Sequence, residues 1–195
     1  MRFGKKLLSL VLTAAVAVGT VAVAPTQKEA DAASKVTAYL CFASKNFNGV
    51  KSNHNDKSNP AGVYNGNKKS AYSGLRIKNA TIKKGKFTAT VTISGSNLKK
   101  FASDKGWNTI YVDTSLAGSQ KSKLKVTKAT LKIDGKTVKT IKKPTITPDP
   151  GASADYTQVM VVNAWNSYAE KKCKAASITK MPKKSISVTI TGTLK

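Results

Sequence analysis

Acidic residues and arginine are what this sequence has least of. Nine Asp and Glu stand against 34 Lys and Arg, for a formal net charge of +25. Arg2 and Arg76 are the only arginines; every other cation is lysine. Arginine reads phosphates and base edges through a bidentate fork, whereas lysine is a hydrated point charge. The composition therefore excludes specific nucleic-acid recognition. It leaves either diffuse attraction to anions or a lysine coat that keeps an extracellular sheet protein soluble and its edges unpaired. The single histidine, His54, excludes a histidine dyad and a multi-histidine metal site. The carboxylates are equally sparing. A glycosidase needs two of them facing each other across a sugar, and only Asp113 with Asp155 or Glu170 could be assembled for that. Asp134 belongs to a turn and Asp149 to a Pro-rich loop. Asn53, Asn55 and Asp56 supply too little negative charge for calcium among so many lysines. No catalytic constellation, metal site or cofactor is expected.

What is present begins with a secretory leader. Arg2, Lys5 and Lys6 form a basic start, residues 7–24 are an apolar stretch, and Ala30-Asp31-Ala32 offers small residues for cleavage before Ala33. Residues 1–32 are expected to be a signal helix that is removed. Residues 33–195 are then one β-sandwich domain, secreted or extracellular and possible to retain at the cell wall, with no transmembrane segment in the mature chain. Cys41 and Cys173 fit a disulfide in that oxidising setting. Cys41 equally fits a small buried apolar side chain within a strand. Both readings stay open.

The strand signals are regular. Residues 36–44 (VTAYLCFAS) alternate, with Val36, Ala38, Leu40 and Phe42 on one face. Residues 86–94 (KFTATVTIS) alternate Phe87, Ala89, Val91 and Ile93 against threonines. Residues 75–82 and 107–114 read as further strands. Residues 124–133 and 136–141 flank Asp134-Gly135, the strongest hairpin signal in the chain. The run 156–166 (YTQVMVVNAWN), apolar on both faces, is expected at the centre of a covered sheet. Residues 185–194 close the chain. Residues 45–73 form a long loop rich in Asn, Gly and Lys, in which no period survives. With about eight strands and no helix of substantial length, the expected fold is all-β: an antiparallel sandwich of jelly-roll or immunoglobulin-like type.

Ala38-Tyr39-Leu40 just after the leader, VVNAWN at 161–166 and SISVTITG at 185–192 resemble small secreted β-sandwich proteins of Gram-positive gut anaerobes, which are similar to carbohydrate-binding modules. The resemblance covers the first strand and the last third of the chain. It implies the sandwich fold and a secreted location, and it brings no catalytic residue. The lysine-rich hairpin departs from the more acidic character of those proteins.

Function then rests on two residue sets. Sugar rings have apolar faces and hydroxyl rims, so a glycan site wants flat aromatics beside amides. Trp107 with Asn108, Trp165 with Asn166, and Tyr64, Tyr72, Tyr111 and Tyr168 are the candidates. Trp165 is expected in the core and Trp107 exposed. The second set is Lys128, Lys132 and Lys139, expected as a basic ribbon on one face of the 124–141 hairpin, opposite Leu131 and Val138. The reading is a secreted, non-catalytic binding protein for glycan or cell-envelope polysaccharide. The alternatives are a lysine-rich adhesin for polyanions (teichoic acid, anionic membrane or extracellular nucleic acid) and a glycoside-active enzyme.

Overall fold

The structure, a computed structural model, describes residues 35–52, 62–65, 68–70, 74–148, 156–164, 171–172 and 174–195. The expected leader, His54, Tyr72, Trp165, Asn166, Tyr168, Cys173 and the carboxylates Asp56, Asp149, Asp155 and Glu170 lie outside the described residues.

The described residues are mostly β and form two sheets, in which every strand pairing among them is antiparallel. The first sheet has the order β11 (Ile146–Pro148), β12 (Tyr156–Asn163), β8 (Trp107–Ala117), β1 (Lys35–Ser44), β2 (Gly49–Lys51), β3 (Gly62–Asn65) and β4 (Lys68–Ser70), with β6 (Ala80–Lys83) pairing the start of β1. The second has the order β10 (Lys136–Lys142), β9 (Leu124–Ile133), β13 (Ser185–Leu194), β7 (Gly85–Ser94) and β5 (Arg76–Lys78). Side chains from both sheets meet in one core. Leu40, Phe42, Ile110 and Val112 come from the first sheet; Val91, Ile93, Leu131, Ile186 and Ile190 come from the second. The arrangement is a sandwich. Each of these fully buried branched or aromatic side chains contributes about 1.5–3 kcal/mol through the area it removes from water.

The long alternating runs fold as expected. Val36, Ala38, Leu40 and Phe42 are buried along β1, and Ile186, Val188, Ile190 and Leu194 along β13. Asp134 (φ 50°) and Gly135 (φ 78°) both take the positive φ that a type I′ turn requires. Elsewhere the structure is more finely divided than the sequence implied. Residues 75–82 are not one strand: β5 joins the second sheet and β6 the first, so the chain changes sheets at Asn79. Part of the supposed loop 45–73 extends the first sheet as β2, β3 and β4. Strands of three or four residues are too short to show a period, which is why thirteen strands are found among the described residues where about eight were expected.

The doubly buried strand β12 lies beside the edge strand β11, while β8 and β1 hold the middle of its sheet. A register shift between Met160 and Val162 lets both Val161 and Val162 enter the core, which strict alternation forbids. On the opposite face of the same sheet, Cys41, Tyr111 and Met160 line up across β1, β8 and β12 as a second, smaller cluster.

Candidate functional site

The site is built at the end of the first sheet where β1 stops and β8 starts. Residues Ser96–Asp104 form a 3₁₀ segment in which Leu98, Phe101 and Asp104 are buried. Positions three apart eclipse in a 3₁₀ helix, so these three side chains share one inward face. Phe101 packs edge-on to Phe42, ring centroids 5.2 Å apart. Asp104 then presents a buried carboxylate to the turn that follows β1.

That turn is wrapped around the carboxylate. The Ser44 hydroxyl donates to Asp104 Oδ2, Asn46 Nδ2 donates to Oδ1 at 3.0 Å, and Asn48 Nδ2 reaches both oxygens. Backbone bonds close the turn: Ser44 N–H to the Asn48 carbonyl at 2.7 Å and Phe47 N–H to the Ser44 carbonyl at 2.9 Å. Gly49 completes it from outside. A Cβ there would stand 2.1 Å from the Phe42 carbonyl oxygen, so no larger residue lets β2 approach β1. The outcome is that Phe47 sits at φ 62°, a left-handed conformation that bulky residues rarely adopt. Phe47 is 49% exposed, the one large hydrophobic residue so exposed among the described residues. Strain of this kind persists where surrounding bonds over-determine the backbone, and it concentrates at ligand sites.

Across from Phe47, Lys105 is also left-handed (φ 48°), and the Gly106 carbonyl accepts a bond from Lys45 N–H at 2.9 Å. The ladder between β1 and β8 shifts register here: Ala43 pairs with Thr109 and Ser44 with Trp107, leaving Asn108 as the extra residue. Such a bulge re-aims a side chain out of the regular pleat. Asn108 is 7% exposed and borders the cleft, and its side-chain amide makes no hydrogen bond to any described residue. Its carbonyl accepts from Ala164 N–H at 2.9 Å, which ties the end of β12 to the same spot.

These pieces enclose a cleft of about 550 Å³. Lys45, Phe47, residues 105–108, and Ala175, Ala176, Ile178 and Thr179 are among the residues that line it, with Ile178 buried and Thr179 exposed. A second depression of about 680 Å³ adjoins it and shares Lys105 and Thr179. Its remaining rim includes Asp134, Lys180 and Lys183. Asp134 accepts bonds from the backbone N–H groups of Lys183, Lys184 and Ser185, at 3.1, 2.7 and 3.0 Å to Oδ1. Burial pushes its pKa up; the three N–H donors and the charge of Lys180 outweigh this and hold it below the ordinary value of 3.8.

Of the aromatic and amide candidates among the described residues, Trp107 and Asn108 meet here. Trp107 is not the exposed platform expected of it. It is 4% exposed, packs edge-on to Phe42 at 5.6 Å, and donates from Nε1 to the Lys180 carbonyl at 3.0 Å. The glycine before it allows the chain to turn its indole inward, and Phe47 takes the exposed role. Tyr111 and Tyr64 are elsewhere: Tyr111 in the cluster with Cys41 and Met160, Tyr64 beneath the Lys51 ammonium at 5.2 Å from the ring centroid.

The lysine ribbon also needs correction. A bulge between Thr137 and Lys139 sets Lys139 opposite Leu131, on the side that faces the core, and half-buries it. Lys128 and Lys132 are exposed as expected; Thr140 stands opposite Thr130, where Lys139 was expected, and the exposed Lys142 pairs with Lys128. Among the described residues, no three of His, Cys, Asp and Glu come together as a metal site would require, and no helix is long and apolar enough to cross a membrane.

Comparison with known proteins returns no matching family model, no similar curated protein and no similar solved structure.

Proposed function

We propose that this chain is a secreted, non-catalytic binding protein for glycan or cell-envelope polysaccharide, and that the cleft between Phe47 and Thr179 is its combining site. The observation that carries the reading is Asn108. A buried amide left without a partner costs about 1–3 kcal/mol, and this one, which bonds to no described residue, borders an open cleft that the exposed Phe47 also lines. A sugar meets both at once, its apolar face on Phe47 and its hydroxyl rim on Asn108 and Thr179. The turn supports this by fixing Phe47 before any ligand arrives, so little ordering cost is left for binding. The non-catalytic part is supported by the three described carboxylates: Asp104 and Asp134 brace backbone and side chains, and Asp113 is buried and accepts from Thr114 N–H. A sandwich of jelly-roll or immunoglobulin-like type hosts many functions, so the fold adds only a scaffold to the argument.

A second reading, adhesion to a polyanion, is favoured by a different surface. Lys128, Lys132 and Lys142 project from the second sheet beside rows of hydroxyls, with Lys132 opposite Ser187 and Lys128 opposite Thr191. An array of neutral and acidic glycans probed at low and high salt separates the two. Stacking on Phe47 barely responds to salt, whereas polyanion binding through lysines collapses.

A further inference from the structure

Four lysines border the two adjoining depressions. Lys45 and Lys105 line the first, and Lys105, Lys180 and Lys183 line the second. None is ion-paired to an acidic side chain among the described residues. The one described carboxylate that lines them, Asp134, accepts bonds from three backbone N–H groups and also feels the charge of Lys180, so a single carboxylate stands among four lysines. Lys105 and Thr179 belong to both depressions, so the two adjoin as one track, with Phe47 lining the first part and Lys183 the second. A neutral sugar would leave these charges unmatched; a chain carrying an acid group on each repeat would match them along its length.

We infer that the track binds an acidic polysaccharide strand, its first sugar seated against Phe47 and Asn108 and the acid groups of successive repeats held by Lys45, Lys105, Lys180 and Lys183. The inference rests on the saccharide reading above and adds the charge and length of the ligand. The acid can be a carboxylate or a phosphate, since lysine serves both as a point charge. Unlike the outward lysines of the second sheet, these flank a concave surface with an aromatic ring and an open amide at one end. That combination selects a saccharide strand over any polyanion at large.

The test is calorimetric titration of the full secreted chain with four probes of similar length: hexagalacturonate, a hexamer of galactose units joined by phosphodiesters, the uncharged galactose hexamer and a single-stranded hexanucleotide. Each is run at about 50 and 300 mM salt, a range over which screening of exposed charges changes strongly. The wild type is expected to bind one of the two acidic chains at least about tenfold more tightly than the galactose hexamer, with the carboxylate and phosphate arms showing which acid is preferred. Lys45→Gln/Lys105→Gln and Lys180→Gln/Lys183→Gln should each weaken that binding and make its salt slope shallower by up to about two, near one unit per lysine. Lys128→Gln/Lys132→Gln should change neither. These are exposed or half-exposed positions, and thermal melts confirm that the variants fold. If the galactose hexamer binds as well as the acidic chains and the lysine variants are silent, the acidic track is wrong and the saccharide site stands. Binding of none of the three saccharide probes overturns both. A hexanucleotide bound as tightly as the acidic saccharides overturns the track in favour of general polyanion attraction.

Discussion

The side-chain amide of Asn48 spans the carboxylate of Asp104, with Nδ2 3.0 Å from Oδ2 and 3.2 Å from Oδ1. Together with Ser44 and Asn46 it makes a buried charge the hub of an otherwise irregular turn. Replacing Asp104 with Ala strands these donors at once. The expected loss of stability is about 3 kcal/mol, in the range for hydrogen bonds to charged groups, read as a lower denaturant midpoint. Phe47 should become mobile in the same variant, visible as a loss of amide protection at residues 45–48.

Trp107→Ala tests the reassignment of that side chain. A core indole that packs on Phe42 and satisfies the Lys180 carbonyl should cost about 3–5 kcal/mol when removed. An exposed stacking platform would cost little. Trp107→Phe should recover part of the packing but not the Nε1 bond.

Asp134 makes stability depend on pH in a defined direction. Its folded pKa lies below the ordinary 3.8 because three backbone N–H groups and Lys180 outweigh the effect of burial. Its contribution is therefore complete above the unfolded value and is lost as pH falls through the folded one. Asp134→Asn keeps a residue tolerant of the left-handed turn. The variant should be less stable than wild type at neutral pH, and the gap should close as the solution is acidified below about pH 4. A gap that stays constant down to strong acid would mean that the charge contributes nothing.

The long alternating strands were legible because one face of each is buried in the shared core: KFTATVTIS and SISVTITGTL carry their pattern in every second residue. The Asp134-Gly135 hairpin was legible because few residue pairs accept positive φ twice. What alternation hid were the bulges. One extra residue at Val138 moves Lys139 to the other face, and one at Asn108 turns an amide towards the cleft. Neither leaves a mark in composition. Phe47 falls in the stretch 45–73, where no period survives to single it out. Its importance comes from Asp104, more than fifty residues away in sequence, and no local pattern connects the two.

The outward lysines give a prediction for the polyanion reading. Lys128→Gln/Lys132→Gln/Lys142→Gln should leave the melting temperature nearly unchanged, since exposed charges of this kind contribute little to folding. If that face binds teichoic acid or DNA, the slope of log affinity against log salt becomes shallower by up to about one unit per lysine. An unchanged slope assigns the face to solubility and edge protection.

The most direct test of the combining site uses two variants that should spare the fold. Phe47→Gly relieves a left-handed phenylalanine, and Asn108→Ala removes an amide that bonds to no described residue. Each is expected to melt within a few degrees of wild type, because neither removes a mechanism of large destabilisation. On a saccharide array, the wild type should bind a defined subset of glycans, and each variant should lose at least about tenfold of that affinity, the scale of one stacking or hydrogen-bonding contact. Wild-type protein that binds no saccharide, or variants that bind as wild type does, would contradict the account.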